Sequence, residues 1–115
     1  MHELSIALSL LDLAAEEAAR RGGARIVAIH LKLGPLAGVV KEALAAAFDL
    51  ARTGSALADS ELVIAEVPVT AYCPCCAAER TVVSVQQLCC SACGTPTPRI
   101  LQGRELEVVA LEIES

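Results

Sequence analysis

The segment from Tyr72 to about Pro98 holds all six cysteines of the chain and three prolines, with few large apolar side chains. It has too little aliphatic surface to build a core of its own, so another agent must hold it together. Within it, Cys73-Pro74-Cys75-Cys76 and Cys90-Ser91-Ala92-Cys93 each contain a C-x2-C, and thirteen residues separate the two. Two such knuckles can present four thiolates to Zn²⁺ at ~2.3 Å, the closed tetrahedral arrangement of structural sites. The two intervening residues let backbone N–H groups turn toward the sulfurs, and Gly94 suits the tight turn that follows. Two separate knuckles favour zinc over an iron–sulfur cluster, although spacing alone also admits iron. Cys75 and Cys89 complete no C-x2-C pair and read as bystanders beside the knuckles, with ligand exchange or redox chemistry as the alternative.

A disulfide framework is the competing use of so many cysteines in a chain of 115 residues. The opening Met1-His2-Glu3-Leu4 has no basic n-region, and Asp12, Glu16 and Glu17 interrupt the apolar pattern where a secretory signal would need it continuous. The expectation is a cytoplasmic protein with reduced thiols that hold metal. No stretch approaches the ~18 consecutive apolar residues of a membrane span. The net charge of −5 gives a nucleic-acid backbone little to attract.

Outside the cysteine segment the chain is aliphatic. Ala, Leu, Val and Ile supply 54 residues, against one Phe, one Tyr and no Trp. From Leu4 to about Arg21, Leu4, Leu8, Leu11, Ala15 and Ala18 fall at helical spacing opposite Ser5, Ser9, Asp12, Glu16 and Arg20, and Gly22-Gly23 ends the helix. Arg25–Leu33 alternates as a strand with one strongly apolar face, Val27, Ile29, Leu31 and Leu33. Gly34-Pro35 breaks it in a turn. A second helical stripe then runs through Val40, Leu44, Ala47, Phe48 and Ala51 to Gly54, and Glu61–Val69 reads as a β-branched strand. After Gly103 strand character returns. A slip in its alternation predicts a bulge near Val109, with Glu105, Glu107, Glu112 and Glu114 on the wet side.

These elements predict an α+β fold: two helices on a small three-stranded mixed sheet, with an inserted four-cysteine zinc-ribbon module. The cysteine segment sits between two strands, so it reads as an insertion at the tip of a long antiparallel hairpin. The first strand, second helix and second strand form a βαβ-like crossover. The expected organisation is residues 1–70 plus 103–115 as one α+β domain and residues 71–102 as a metal-binding domain.

A closed four-cysteine site leaves no position for substrate, so its expected contribution is folding energy. A second metal site is suggested by Met1-His2-Glu3. As the start of a chain, Met1 would offer its α-amine, contiguous with the His2 amide nitrogen and imidazole. Glu3 adds another amide and a carboxylate. Amides in the first turn of a helix have no intrahelical acceptor, so metallating one costs no helix bond. Nitrogen donors in a plane suit Ni²⁺ or Cu²⁺. The simpler reading is that Glu3 favours the helix start and His2 is solvated.

The opening Met1-His2-Glu3-Leu4-Ser5, the segment Leu31-Lys32-Leu33-Gly34-Pro35-Leu36-Ala37-Gly38-Val39, the paired knuckles and the closing Gly103-Arg104-Glu105-Leu106-Glu107 together resemble the HypA/HybF hydrogenase maturation factors. The resemblance runs through the whole chain in order. It implies a nickel metallochaperone, not an enzyme, that helps insert Ni²⁺ into the large subunit of [NiFe]-hydrogenase with a GTPase of the same pathway. Some members also serve urease and its maturation proteins. It further implies nickel binding by Met1, His2 and Glu3, with His2 the indispensable side chain, and structural zinc on Cys73, Cys76, Cys90 and Cys93. This chain departs from the family pattern at Ser91, where proline is usual, at Pro35, and in having Cys75 and Cys89.

Two other classes fit less well. A nucleic-acid-binding ribbon needs a basic face with stacking aromatics, and Tyr72 to Arg99 supplies only Arg80, Arg99 and Tyr72. A hydrolytic metalloenzyme needs a cluster of His, Asp and Glu with ligand spacing, and His30 is the only other histidine. His30 reads as a structural side chain on the less apolar strand face, and Asp12 and Glu16 as a solvated helix face.

Overall fold

The computed structural model describes residues 2–114, which divide into two compact units. The first comprises residues 2–31, 38–65 and 107–114, and the second residues 32–37 and 66–106.

The first unit opens with α1 (Glu3–Arg20), followed by β1 (Arg25–Leu33) and α2 (Lys41–Arg52). Glu3 in the first turn and Arg20 in the last complement the helix dipole. Gly22-Gly23 does end the helix: the Gly23 amide donates to the Ala18 carbonyl at 2.9 Å and the Gly22 amide to that of Ala19 at 3.1 Å. Both glycines have positive φ, the Schellman arrangement that satisfies the last carbonyls. The buried face of α1 differs from the expected stripe. Ile6, Ala7, Leu10, Leu11 and Ala14 are buried, while Leu4 and Leu8 are exposed. In α2, which packs against α1, Leu44 and Phe48 are the buried pair.

The three-stranded sheet has the order β2–β1–β7, with β2 spanning Glu61–Glu66 and β7 spanning Leu106–Glu114. This corrects the expected hairpin, because the strands flanking the cysteine segment do not pair with each other. They lie on either side of β1. The reason is visible in β1 burial: Ile26 and Ala28 are as deeply covered as Ile29, Leu31 and Leu33. A strand buried on both faces belongs in the middle of a sheet. The slip in β7 is present as a change of burial phase. Leu106 and Val108 are half-buried, Val109 and Ala110 are both exposed, and Leu111 and Ile113 resume the pattern. The turn between α2 and β2 is held by Arg52, whose Nη1 donates to the Ala58 and Ser60 carbonyls at 2.8 Å each.

The second unit carries a four-stranded sheet that sequence reading did not resolve, in the order β5–β4–β3–β6. Its strands are β3 (Thr70–Cys73), β4 (Ala78–Ser84), β5 (Gln87–Cys90) and β6 (Ile100–Gln102). The expected strand Glu61–Val69 ends at Glu66, ahead of Pro68, which lacks the amide a ladder needs. Gly34-Pro35 makes the expected turn, a single 3-10 turn over Pro35–Ala37. Glu105 is not a strand residue on the wet side. Its carbonyl accepts the Gly34 amide at 2.8 Å, and its Oε1 accepts the Gly103 amide at 2.8 Å.

Candidate metal centre

Two strand pairs build the cysteine cluster. β3 and β4 pair antiparallel with Cys73 opposite Ala78, so the chain reverses through Pro74 to Ala77 and returns beside itself. β4 and β5 pair antiparallel with Val82 opposite Cys90, which brings the second knuckle to the same end. Backbone bonds shape both turns. The Cys76 amide points at the Cys73 sulfur from 3.3 Å. In the second knuckle the Gly94 amide donates to the Cys90 carbonyl, and the Cys90 amide to that of Thr95, each at 2.8 Å. Buried Thr97 closes the far side, its hydroxyl donating to the Leu88 carbonyl at 2.8 Å.

The sulfurs of Cys73, Cys76, Cys90 and Cys93 all lie within 4.8 Å of one another. Three of the separations are 3.5 Å for Cys73–Cys93, 3.9 Å for Cys76–Cys90 and 3.7 Å for Cys76–Cys93. A tetrahedron with metal–sulfur bonds of ~2.3 Å has edges of about 3.8 Å, so the cluster already has the size of a zinc tetrathiolate. The same separations are far beyond a disulfide bond of ~2.05 Å, and all six cysteines are free. The donor set and its dimensions fit a tetrahedral, thiophilic divalent ion. Exposed Cys75 and half-buried Cys89 stay outside the group.

Two polar side chains that sequence reading missed lie against the cluster. The Arg80 guanidinium favours the ionised form of the Cys76 thiol. The Thr95 hydroxyl is 3.1 Å from the Cys93 sulfur and donates to it once that sulfur is ionised. Arg80 is the largest single influence on Cys76 and pulls its thiol down, but the crowding of the Cys93, Cys73 and Cys90 sulfurs outweighs it and leaves Cys76 at about 11. Cys93, whose ionised form the Thr95 hydroxyl beside it favours, is drawn down to about 6. Four thiols this close cannot all ionise unless a cation offsets the charge, and Cys93 yields its proton first.

The two knuckles differ at one backbone position. Gly94 follows Cys93 with φ +77°, and Ala77 follows Cys76 with φ +53°, the one non-glycine with positive φ among the described residues. A Cβ in that region costs ~1–2 kcal/mol, while glycine loses ~0.5–1 kcal/mol more entropy on folding. Ala77→Gly is therefore expected to stabilise the second unit by about 0.5–1 kcal/mol. A thermal melt of zinc-loaded protein should show a rise of a few degrees, and no rise would mean the knuckle already relieves the strain.

At the other end of the chain, His2 is the N-cap of α1. Its backbone is extended, with φ −93° and ψ 120°, and its exposed side chain makes no capping bond. Glu3 is half-buried in the first turn, and Met1 lies outside the described residues. His30 is not free: its Nε2 is 2.9 Å from Glu112 Oε1, a structural pairing between β1 and β7.

The sequence and the architecture have counterparts among known proteins. The family described as "Hydrogenase/urease nickel incorporation, metallochaperone, hypA" matches residues 1–113. The hydrogenase maturation factor HypA of Chloroflexus aurantiacus is 49% identical over 112 residues, covering 97% of this chain and 98% of that protein. The HypA of Deinococcus radiodurans is 44% identical over 111 residues, covering 94% and 89%. Among solved structures, the Ni metallochaperone HypA from Helicobacter pylori superposes with a TM-score of 0.65 at 26% identity, covering 98% and 97% of the two chains. No helix among the described residues is long and apolar enough to cross a membrane. With a whole-length family match, near-half identity to its relatives and a shared fold, the chain belongs to the HypA family of hydrogenase and urease nickel-incorporation proteins, metallochaperones and not enzymes.

Proposed function

We propose that this chain carries Ni²⁺ for assembly of the [NiFe]-hydrogenase large subunit, taking the ion on Met1, His2 and Glu3. In the same reading Cys73, Cys76, Cys90 and Cys93 hold a structural Zn²⁺. The observation that carries the nickel assignment is the start of α1 at Glu3, which leaves His2 exposed, extended and free of any capping bond. Its imidazole and amide are thus uncommitted, and the first-turn amides beside it have no intrahelical acceptor. Nitrogen donors in one plane favour Ni²⁺ over tetrahedral zinc. The cysteine cluster has no open coordination position for a cargo ion that must be passed on, and its sulfur spacing suits zinc.

Transfer by ligand exchange from exposed His2 calls for a receiving partner. The names of the relatives concern hydrogenase maturation, and one structural neighbour is called a Ni metallochaperone. We therefore assign as partners a hydrogenase-maturation GTPase and the hydrogenase large subunit, with urease maturation proteins as a second client set, and no nucleic acid or membrane. The reading places nickel in residues 1–70 plus 103–115, zinc in residues 71–102, and the protein in the cytoplasm, where thiols stay reduced.

Nickel titration of untagged, zinc-loaded His2→Ala tests the assignment. Loss of a direct ligand is expected to exceed the ~10–100-fold cost of losing an outer-shell partner, so stoichiometric binding should disappear while zinc content is unchanged. Retained tight binding, or thiolate-to-nickel charge-transfer bands in the wild type, would move the cargo site away from the N-terminus.

A further inference from the structure

The first unit is strongly acidic and the second is not. Eleven of the chain's 14 acidic residues lie in the first unit, with five of its nine basic ones, a net charge of −6. Its sheet, in the order β2–β1–β7, leaves one side of β7 without a strand. β7 runs for nine residues, as long as β1 beside it, and contains neither proline nor lysine, the residues that commonly blunt a sheet edge. A groove lies along it. The lining takes four consecutive residues of β7, Val108 to Leu111, and from α1 Leu13, Glu16, Glu17 and Arg20. Side chains of a strand alternate between faces, so a groove lined by four residues in a row opens on the edge of the strand and not on one face. Leu13 and Val109 are 45% and 50% exposed within it.

We propose that the groove between β7 and α1 takes an extended, basic segment of a partner protein, which adds to the sheet as a fourth strand beside β7. The edge decides that the occupant is extended. Unpaired main-chain N–H and C=O groups on an edge strand are matched by another strand, whereas a helix keeps its own backbone groups paired. Apolar side chains at every second position of the added segment seat on Leu13 and Val109. Charge decides that the segment is basic. Glu107 and Glu112 flank the groove on β7, and Glu16 and Glu17 line it from α1. Arg20 and Arg21 hold Glu17 at 2.7 and 2.9 Å, which leaves Glu16, Glu107 and Glu112 in excess. Lysine or arginine on the added strand complements them, and like charges there oppose pairing. A second copy of the chain is a poor occupant, because it would bring one unit of net charge −6 against another. The inference concerns a protein contact and stands whichever ion the chain carries.

The test titrates full-length, isotope-labelled protein with an end-capped heptapeptide of alternating lysine and valine and, separately, with its glutamate–valine counterpart, following backbone amide resonances and hydrogen exchange. The lysine peptide is expected to shift the amides of β7 and of residues 13–20 in α1, to slow exchange within Val108–Leu111, and to bind less well as salt rises. The glutamate peptide is expected not to bind. Val109→Lys places a gatekeeper charge in the groove and should abolish binding while the native amide spectrum is kept. Glu107→Lys, a change at an exposed side chain, should weaken binding by about 2- to 30-fold, a cross-strand attraction replaced by a repulsion of similar size. Equal binding of the two peptides, or shifts with no slowing of exchange in β7, would overturn the proposal, as would no binding at all. Protection of β7 amides that grows with protein concentration in the absence of peptide would make a second copy the occupant and overturn it too.

Discussion

Removing zinc with a chelator is expected to unfold the second unit while α1 and α2 keep their far-UV circular dichroism. Buried side chains are distributed very unequally between the two units. The first encloses Ile6, Leu10, Leu11, Ile29, Leu31, Leu44 and Phe48, among others, whereas the large aliphatics buried in the second are Leu33 and Val69. The remaining buried apolar positions there are Ala71, Cys73 and Cys90. Burying one Leu or Val yields ~1.5–3 kcal/mol, too little to offset ~1–2 kcal/mol of backbone entropy for each ordered residue. On the proposed assignment of the cluster to zinc, the ion contributes an apparent ~10–16 kcal/mol at neutral pH and so dominates the stability of this unit. A Cys73→Ala/Cys76→Ala variant is expected to lose the ion and the corresponding thermal transition together. An unchanged melt after verified zinc removal would show that the four-stranded sheet stands on its own.

The same site gives a pH dependence with a definite sign. Binding displaces the Cys76 proton at any pH below about 11, but displaces a Cys93 proton only where that thiol is still protonated, below about 6. Zinc affinity therefore falls as pH falls, and falls more steeply by one proton once pH drops through about 6. Zinc titrations between pH 7.5 and 5 check both the direction and the break.

What sequence alone revealed follows from how strongly each pattern was determined. The knuckles were legible because metal ligands obey a spacing rule, and Gly22-Gly23 because a Schellman stop needs glycine. The buried face of α1 was not. Leu4, Ile6, Ala7, Leu8, Leu10, Leu11, Leu13 and Ala14 surround most of the helix, so periodicity admitted more than one stripe and tertiary packing chose Ile6, Ala7, Leu10, Leu11 and Ala14. Strand order was misread for a related reason. Ile26 and Ala28 share their strand face with His30 and Lys32, which makes it read as only weakly apolar, yet they mark the second buried face that puts β1 in the centre. Thr95 carried no sequence signal, since neither its residue type nor its distance from a cysteine obeys a rule; only the second turn brings its hydroxyl to sulfur.

Gly34→Ala is expected to be among the most damaging single substitutions in the chain, although the sequence presents Gly34 only as a strand-breaker before Pro35. The structure gives it a different task. Gly34 is absent from the glycines with positive φ, so backbone conformation is not what requires it. Space is: a Cβ there would stand 2.2 Å from the Gly103 carbonyl oxygen and 2.9 Å from the Arg104 amide nitrogen. These are main-chain atoms, unable to swing aside as a side-chain tip would. They are also pinned, because the Gly34 amide donates to the Glu105 carbonyl and the Leu36 amide to the Gly103 carbonyl, each at 2.8 Å. Pro35 between them costs no bond, since a proline at the first position of a helical turn lacks only an amide with no partner inside the turn. Gly103 is fixed from its other side: its φ is +128°, and a Cβ there would meet Val69 Cγ2 at 2.9 Å. The two backbones thus approach so closely that a methyl group must either separate them, breaking two hydrogen bonds, or shift β6 and the start of β7. Overpacking against side chains costs ~1–3 kcal/mol, and an immovable backbone places this case at or above the upper end, ~3 kcal/mol or more. At ~4–8 °C per kcal/mol for a domain of this size, the zinc-loaded melting temperature should fall by well over ten degrees. Gly38→Ala is the control: Gly38 has φ +76° with open space around its Cβ position, so it bears only the conformational penalty of ~1–2 kcal/mol. Equal losses in the two variants would mean that conformation, and not the Gly34–Gly103 contact, is what these glycines provide.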